Sequence, residues 1–157
     1  MSTFAFMCYI CSFVLCFGYI FTVIQIKGLI SSISSSYYLG FGGWFQFWAI
    51  GTSFLMLPAW LEVSGESYQW VAFLSVVALC AVGTMPRFRE DDAVGHAVSA
   101  ILSGVLAFVW CGMAGVWHIP ICLLAIALFM SIWLYNSKTF LLEVAGFVSI
   151  YMGMIII

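Results

Sequence analysis

Hydrophobic residues run in long unbroken stretches along this chain, and polar residues gather in the short intervals between them. Six stretches stand out, at residues 3–26, 41–61, 68–85, 95–116, 119–135 and 140–157. A helix needs about 20 mostly apolar residues to cross about 30 Å of hydrocarbon. None of the stretches alternates with the period of two that a transmembrane barrel requires. The pattern predicts an all-α polytopic membrane protein, with residues 1–157 forming one integral membrane domain, a compact bundle of six transmembrane helices. Pro120 falls in the first turn of the fifth stretch, where its missing N–H is harmless. Pro58, in the outer part of the second, predicts a kink. The first stretch has no basic flank and exceeds the roughly 7–15-residue core of a secretion signal, so we expect a span there rather than a cleaved leader. The intervals are too short for an extramembrane domain.

Composition strengthens this reading. Hydrophobic types make up 66% of the residues and mean hydropathy is +1.20, against roughly 45–50% apolar usage in soluble domains. Four Lys or Arg and six Asp or Glu are too few to cover the surface of a small soluble fold. No basic face exists for nucleic acid, so no nucleic-acid partner is expected.

The basic residues orient the bundle. Lys27 lies between stretches one and two, Arg87 and Arg89 between three and four, and Lys138 between five and six. With six spans all four share one face, which the positive-inside rule makes cytoplasmic. Both termini are then non-cytoplasmic, with the intervals at residues 62–66 and 117–118. Trp60, Trp70 and Trp117 are expected at the outer interface, and Tyr37, Tyr38, Trp44, Trp133 and Tyr135 at the inner one. Trp48 and Trp110 lie deeper and are expected to pack between helices.

Polar residues concentrate on the cytoplasmic face. Residues 27–38 read Lys-Gly-Leu-Ile-Ser-Ser-Ile-Ser-Ser-Ser-Tyr-Tyr. The simplest reading is a solvated loop. A short interfacial helix with its apolar stripe toward lipid is a second, and a re-entrant turn whose backbone is satisfied by protein or water is a third. Serine hydroxyls both donate and accept, so they suit a headgroup or anion site. In the second cytoplasmic interval Glu90, Asp91 and Asp92 precede a helix start, where carboxylates are favoured, and Asp91 or Asp92 is expected to cap it. His96 follows, with Ser99 three residues on. It is expected either to bond a backbone carbonyl or to serve a polar pocket with Ser34, Tyr37, Arg87 and Arg89. Glu143, one turn into the sixth stretch, is placed to pair with Lys138 or an Arg or, being close to a helix end, to reach water.

Ser32-Ile33-Ser34 followed by Tyr37-Tyr38, Pro86 after the third stretch, and His96-Ala97-Val98-Ser99-Ala100 opening the fourth resemble a signature of uncharacterised multi-spanning bacterial membrane proteins. The likeness covers roughly residues 25–115. It implies a polytopic protein of the bacterial inner membrane with a polar inner-face cluster, and no assigned activity. Those relatives often carry an acidic residue within the Ser–Tyr stretch, where this chain has Ser35 and Ser36.

Other chemistries are poorly served. His96 and His118 are 22 positions apart, about 33 Å along a helix, so no metal or haem held by several histidines is expected and no cofactor is assigned. All six cysteines fall within the apolar stretches. Cys8 and Cys11 form one C-x-x-C, but no second pair exists for thiol exchange, and small packing residues are the better reading. No stretch carries a mid-membrane charge, and the halves show no inverted repeat, so coupled transport is not indicated. Ala100, Gly104 and Ala107, with Ser99 and Ser103, form a small-residue face, and Gly146 and Gly153 lie seven apart. Both are expected to permit close helix packing, within the bundle or in a homo-oligomer.

The function expected from the sequence is non-enzymatic: binding of a membrane lipid headgroup, an amphiphile or a membrane protein partner by Lys27, Ser34, Tyr37, Tyr38, Arg87, Arg89, His96 and Ser99. The alternatives are an oligomeric channel or membrane-disrupting effector and, behind it, an intramembrane lipid hydrolase.

Overall fold

A computed structural model describes residues 1–157 as an all-helical chain without strands. Six α-helices lie on the six apolar stretches: α1 Thr3–Lys27, α2 Gly42–Val63, α3 Gln69–Thr84, α4 Ala93–Met113, α5 His118–Trp133 and α6 Lys138–Ile156. Two 3₁₀ turns, Ser34–Leu39 and Tyr135–Ser137, precede α2 and α6. Three segments are long and apolar enough to cross a membrane: α1, α4 and Tyr135–Ile156. Helices α3 and α5 have 16 residues each, about 24 Å of rise. Helix α2 has 22 but carries Gln46, Thr52, Ser53 and Pro58, and it continues past Pro58 to Val63.

Sequential helices pack as neighbours, α1 on α2, α2 on α3 and α3 on α4, while α5 pairs with α6. Short connections make such antiparallel hairpins the natural outcome. Helices α2 and α3 approach so closely that a Cβ on Gly83 would stand 2.9 Å from the Ala49 Cβ. Between α3 and α4, the Ser75 hydroxyl donates to the Ser103 carbonyl at 2.9 Å and the Ser103 hydroxyl returns the bond at 3.0 Å. The α5–α6 pair closes on the rest through aromatic side chains. Tyr151 of α6 meets Tyr9, Phe13 and Phe17 of α1 edge-on, each at 5.5 Å. The Tyr9 hydroxyl donates to the Tyr151 carbonyl at 3.2 Å.

Trp48 and Trp110 are buried as expected. Trp60 departs from expectation: it is fully buried rather than an interface anchor. Its ring meets Trp110 edge-on at 5.4 Å, and Ser64 joins the pair by donating to the Trp60 carbonyl and accepting the Trp110 indole N–H. Trp44, Trp70, Trp117, Trp133 and Tyr135 are exposed. So are Val94, Val98, Ile101, Val105, Ile126, Phe129 and Ile132 on α4 and α5. Apolar surface of this extent is suited to lipid and ill suited to water.

On the small-residue face of α4, Ser103 packs against α3 and Ala107 is buried, while Ala100, Gly104 and Ala107 also line a cavity, as does Gly146 of α6. A Cβ on Gly104 or Gly146 would meet nothing within 4 Å. Gly153 does mark a close approach, with the Trp110 ring 3.1 Å from where its Cβ would stand.

Candidate functional site

The serine interval is neither a solvated loop nor an amphipathic helix. Gly28 ends α1 at φ 72°, a left-handed conformation that costs glycine little, and the chain turns back among the helices. Ile30, Ile33, Ser34, Ser35 and Ser36 are buried. The segment supplies most of its own hydrogen bonds, as a polar backbone away from water must. The Ser35 hydroxyl donates to the Ser32 carbonyl at 2.7 Å, the Ser36 hydroxyl donates to the Ile33 carbonyl at 2.6 Å, and the Tyr19 hydroxyl pairs with Ser36. Helix α6 clamps the other side. Its Phe140 N–H, one of the unpaired donors of a helix start, donates to the Ser31 carbonyl at 3.1 Å. The Glu143 carboxylate accepts the Ile33 N–H, so Glu143 holds main chain and not the expected Lys138 or Arg.

His96 bonds on both ring nitrogens. Nδ1 lies 3.0 Å from the Met85 carbonyl and Nε2 lies 3.0 Å from the Ser34 hydroxyl. A carbonyl only accepts, so Nδ1 carries the proton, and in the neutral ring Nε2 accepts the Ser34 O–H. Phe88 stacks on the imidazole at 4.5 Å and meets Tyr38 edge-on at 5.2 Å. The Tyr38 hydroxyl accepts the Arg89 N–H at 2.8 Å, and the Arg89 guanidinium lies 4.8 Å over the Tyr38 ring. Tyr37 stands beside Arg87 and, with Glu90 and Asp91, raises that guanidinium above its usual range. Asp92 occupies the position before α4 without a side-chain cap, contrary to expectation; only its carbonyl engages the helix, through the His96 N–H.

Six of the eight sequence-derived residues thus meet in one cluster: Ser34, Tyr37, Tyr38, Arg87, Arg89 and His96. Lys27 is exposed, and neither it nor Ser99 is hydrogen-bonded to the others. Ser99 lies one turn along the same face of α4 from His96 and is half-buried. Phe88 and the Met85 carbonyl complete the cluster, and sequence reasoning did not find them. An aromatic residue in a charged loop carries no partner information, and a backbone carbonyl carries no residue signal.

Below the cluster lies the cavity, about 500 Å³, within the range of small-molecule sites. It separates α2, α3 and α4 from α5 and α6 and is walled mostly by apolar side chains, Met56, Leu79, Ile101, Phe108, Phe147 and Ile150 among them. Ser34 and Glu143, joined through the Ile33 N–H, mark its polar end. The wall serines are already engaged: Ser75 and Ser103 with each other's carbonyls, Ser149 with the Ala145 carbonyl. No group of three or more His, Cys, Asp or Glu is placed to hold a metal ion. No family description, curated protein or solved structure matches the chain.

Proposed function

We propose that this chain crosses the membrane six times, with both termini outside, and binds a membrane amphiphile. The apolar tail lies in the cavity and the polar head lies at Ser34 and Glu143 beneath the cytoplasmic cluster. The topology rests on the six apolar helices and on Lys27, Arg87, Arg89 and Lys138 all falling in alternate connections. Reporter fusions at the two termini test it: activity of a periplasmic reporter is expected at both, and a cytosolic signal at either overturns it.

The observation that carries the binding reading is a large apolar cavity whose wall includes a single ionisable acid, Glu143, bonded to the N–H of Ile33 beside Ser34. Glycines at positions 104 and 146 leave its space open. A fluorescent palmitoyl-chain probe should bind purified protein in nanodiscs and be lost on Gly104→Leu or Gly146→Leu, with the thermal transition retained. Binding of equal strength in both filled variants would sink the reading.

A second reading, hydrolysis of an acyl lipid, draws support from the Ser34–His96 pair. His96 Nε2 is positioned to take the Ser34 proton as Oγ attacks an ester carbonyl. The proton then passes to the departing alcohol, and water cleaves the acyl-serine. A fluorophosphonate probe should label Ser34 in the wild type and not in His96→Ala. Absence of labelling in the wild type removes this reading and leaves the binding one intact.

A further inference from the structure

The geometry points to a cationic head on the amphiphile: a long-chain amine, held with its ammonium between Glu143 and Ser34. This inference rests on the amphiphile-binding reading and specifies the chemistry of its ligand. Hydrogen inventory leads to it. His96 Nδ1 is committed to the Met85 carbonyl, so the Ser34 hydrogen is committed to Nε2, and Ser34 turns only lone pairs to a ligand. Glu143 has one oxygen on the Ile33 N–H and the other without a hydrogen-bond partner, and a carboxylate is an acceptor. The hydroxyls of Ser75, Ser103 and Ser149 donate to carbonyls of this chain. The indole nitrogens of Trp48 and Trp60, whose side chains line the cavity, and the Thr52 hydroxyl are unpaired but fully buried. The cavity's polar end therefore offers acceptors at Ser34 and, once a cation pairs with it, at the ionised Glu143.

Charge leads to the same place. Every cation of the chain is directed elsewhere: Arg87 to Tyr37, Arg89 to Tyr38, Lys138 to a point 5.2 Å over the Tyr135 ring, and Lys27 to the surface. The sole ion pair within 4 Å joins the N-terminus to Glu62. A carboxyl group set into an apolar wall without a cation sheds its charge by binding a proton, and a ligand ammonium, with three donors, supplies the partner that lets it ionise there. A phosphate head would bring charge and acceptors to an end that already has both, and no Lys, Arg or His lines the cavity.

The test uses full-length protein in nanodiscs of zwitterionic lipid, with palmityl amine, palmityl alcohol and palmityl phosphate competing against the fluorescent palmitoyl-chain probe. The amine should displace it at a concentration about tenfold or more below the phosphate, as expected for a charge-assisted hydrogen bond. Glu143→Gln keeps an acceptor for the Ile33 N–H, and it should bring amine and phosphate to within about threefold of each other. Equal competition by the three heads, or a preference for phosphate, overturns the inference while leaving the amphiphile reading standing. An amine preference that survives Glu143→Gln overturns the role given to Glu143. Probe binding insensitive to both Gly104→Leu and Gly146→Leu fails the amphiphile reading itself.

Discussion

His96 Nε2 and the Ser34 hydroxyl, 62 positions apart in the chain, meet at 3.0 Å and join the start of α4 to the buried serine segment. The bond is one of two on the same ring, and the other, to the Met85 carbonyl, joins α4 to the end of α3. His96→Ala strands a buried hydroxyl and removes the ring under Phe88. A loss of about 1–3 kcal/mol is expected, read as a lower thermal midpoint in detergent. Ser34→Ala removes one partner only and should cost less than His96→Ala.

The reciprocal Ser75–Ser103 bonds should behave as a unit. Hydrogen bonds between membrane helices contribute roughly 0.6 kcal/mol each and at most about 1.7. Ser75→Ala and Ser103→Ala are expected to lower stability by amounts of that size, and a double-mutant cycle on unfolding free energies should reveal a coupling between them.

Two glycines on facing helices should respond in opposite ways. Gly153→Ala puts a Cβ 3.1 Å from the Trp110 ring and 3.4 Å from Val116, an overpacking that costs about 1–3 kcal/mol. Gly104→Ala meets nothing within 4 Å and replaces a poor helix former, so a gain of up to about 1 kcal/mol is expected. Comparing the thermal midpoints of the two variants separates tight packing from open cavity.

Glu62 ties the end of α2 to the start of α1. Its carboxylate accepts the Ser2 hydroxyl at 2.6 Å and the Ser2 N–H, and these bonds hold it below the usual carboxylate range. A lowered folded value means the tie is complete above the ordinary Glu value of about 4.3 and is lost as pH falls through the folded one. Hydrogen-exchange protection at the first turn of α1, measured against the intrinsic rate at each pH, should therefore fall on acidification below that value. Glu62→Gln should show reduced protection already at neutral pH, with no further loss in acid.

Much of the helical frame was legible because burial in lipid leaves a one-dimensional record. The helix boundaries at Lys27, Val63 and Thr84 fall within a few positions of where apolar runs give way to polar or charged residues. The polar cluster was legible in part, since Ser34, His96 and the Arg–Tyr pairs are polar residues gathered near helix ends. The role of Glu143 was misread because charge suggests a charged partner, and its actual partner is a main-chain N–H. The cavity beside Ala100, Gly104 and Ala107 was not legible, because small residues permit a neighbour to come close and equally leave space open.

By itself the sequence determined an all-helical membrane chain, the approximate limits of its helices and the end of the bundle where its polar groups collect. Those properties follow from the free energy of moving each side chain between water and hydrocarbon, which depends on residue type and order alone. Only the tertiary structure decided that the serine segment is buried, that His96 carries its proton on Nδ1, and that a cavity opens between α4 and α6. Each of these depends on which backbone carbonyl, amide or ring comes within about 3 Å of a given atom, and the folded arrangement of the helices sets those distances.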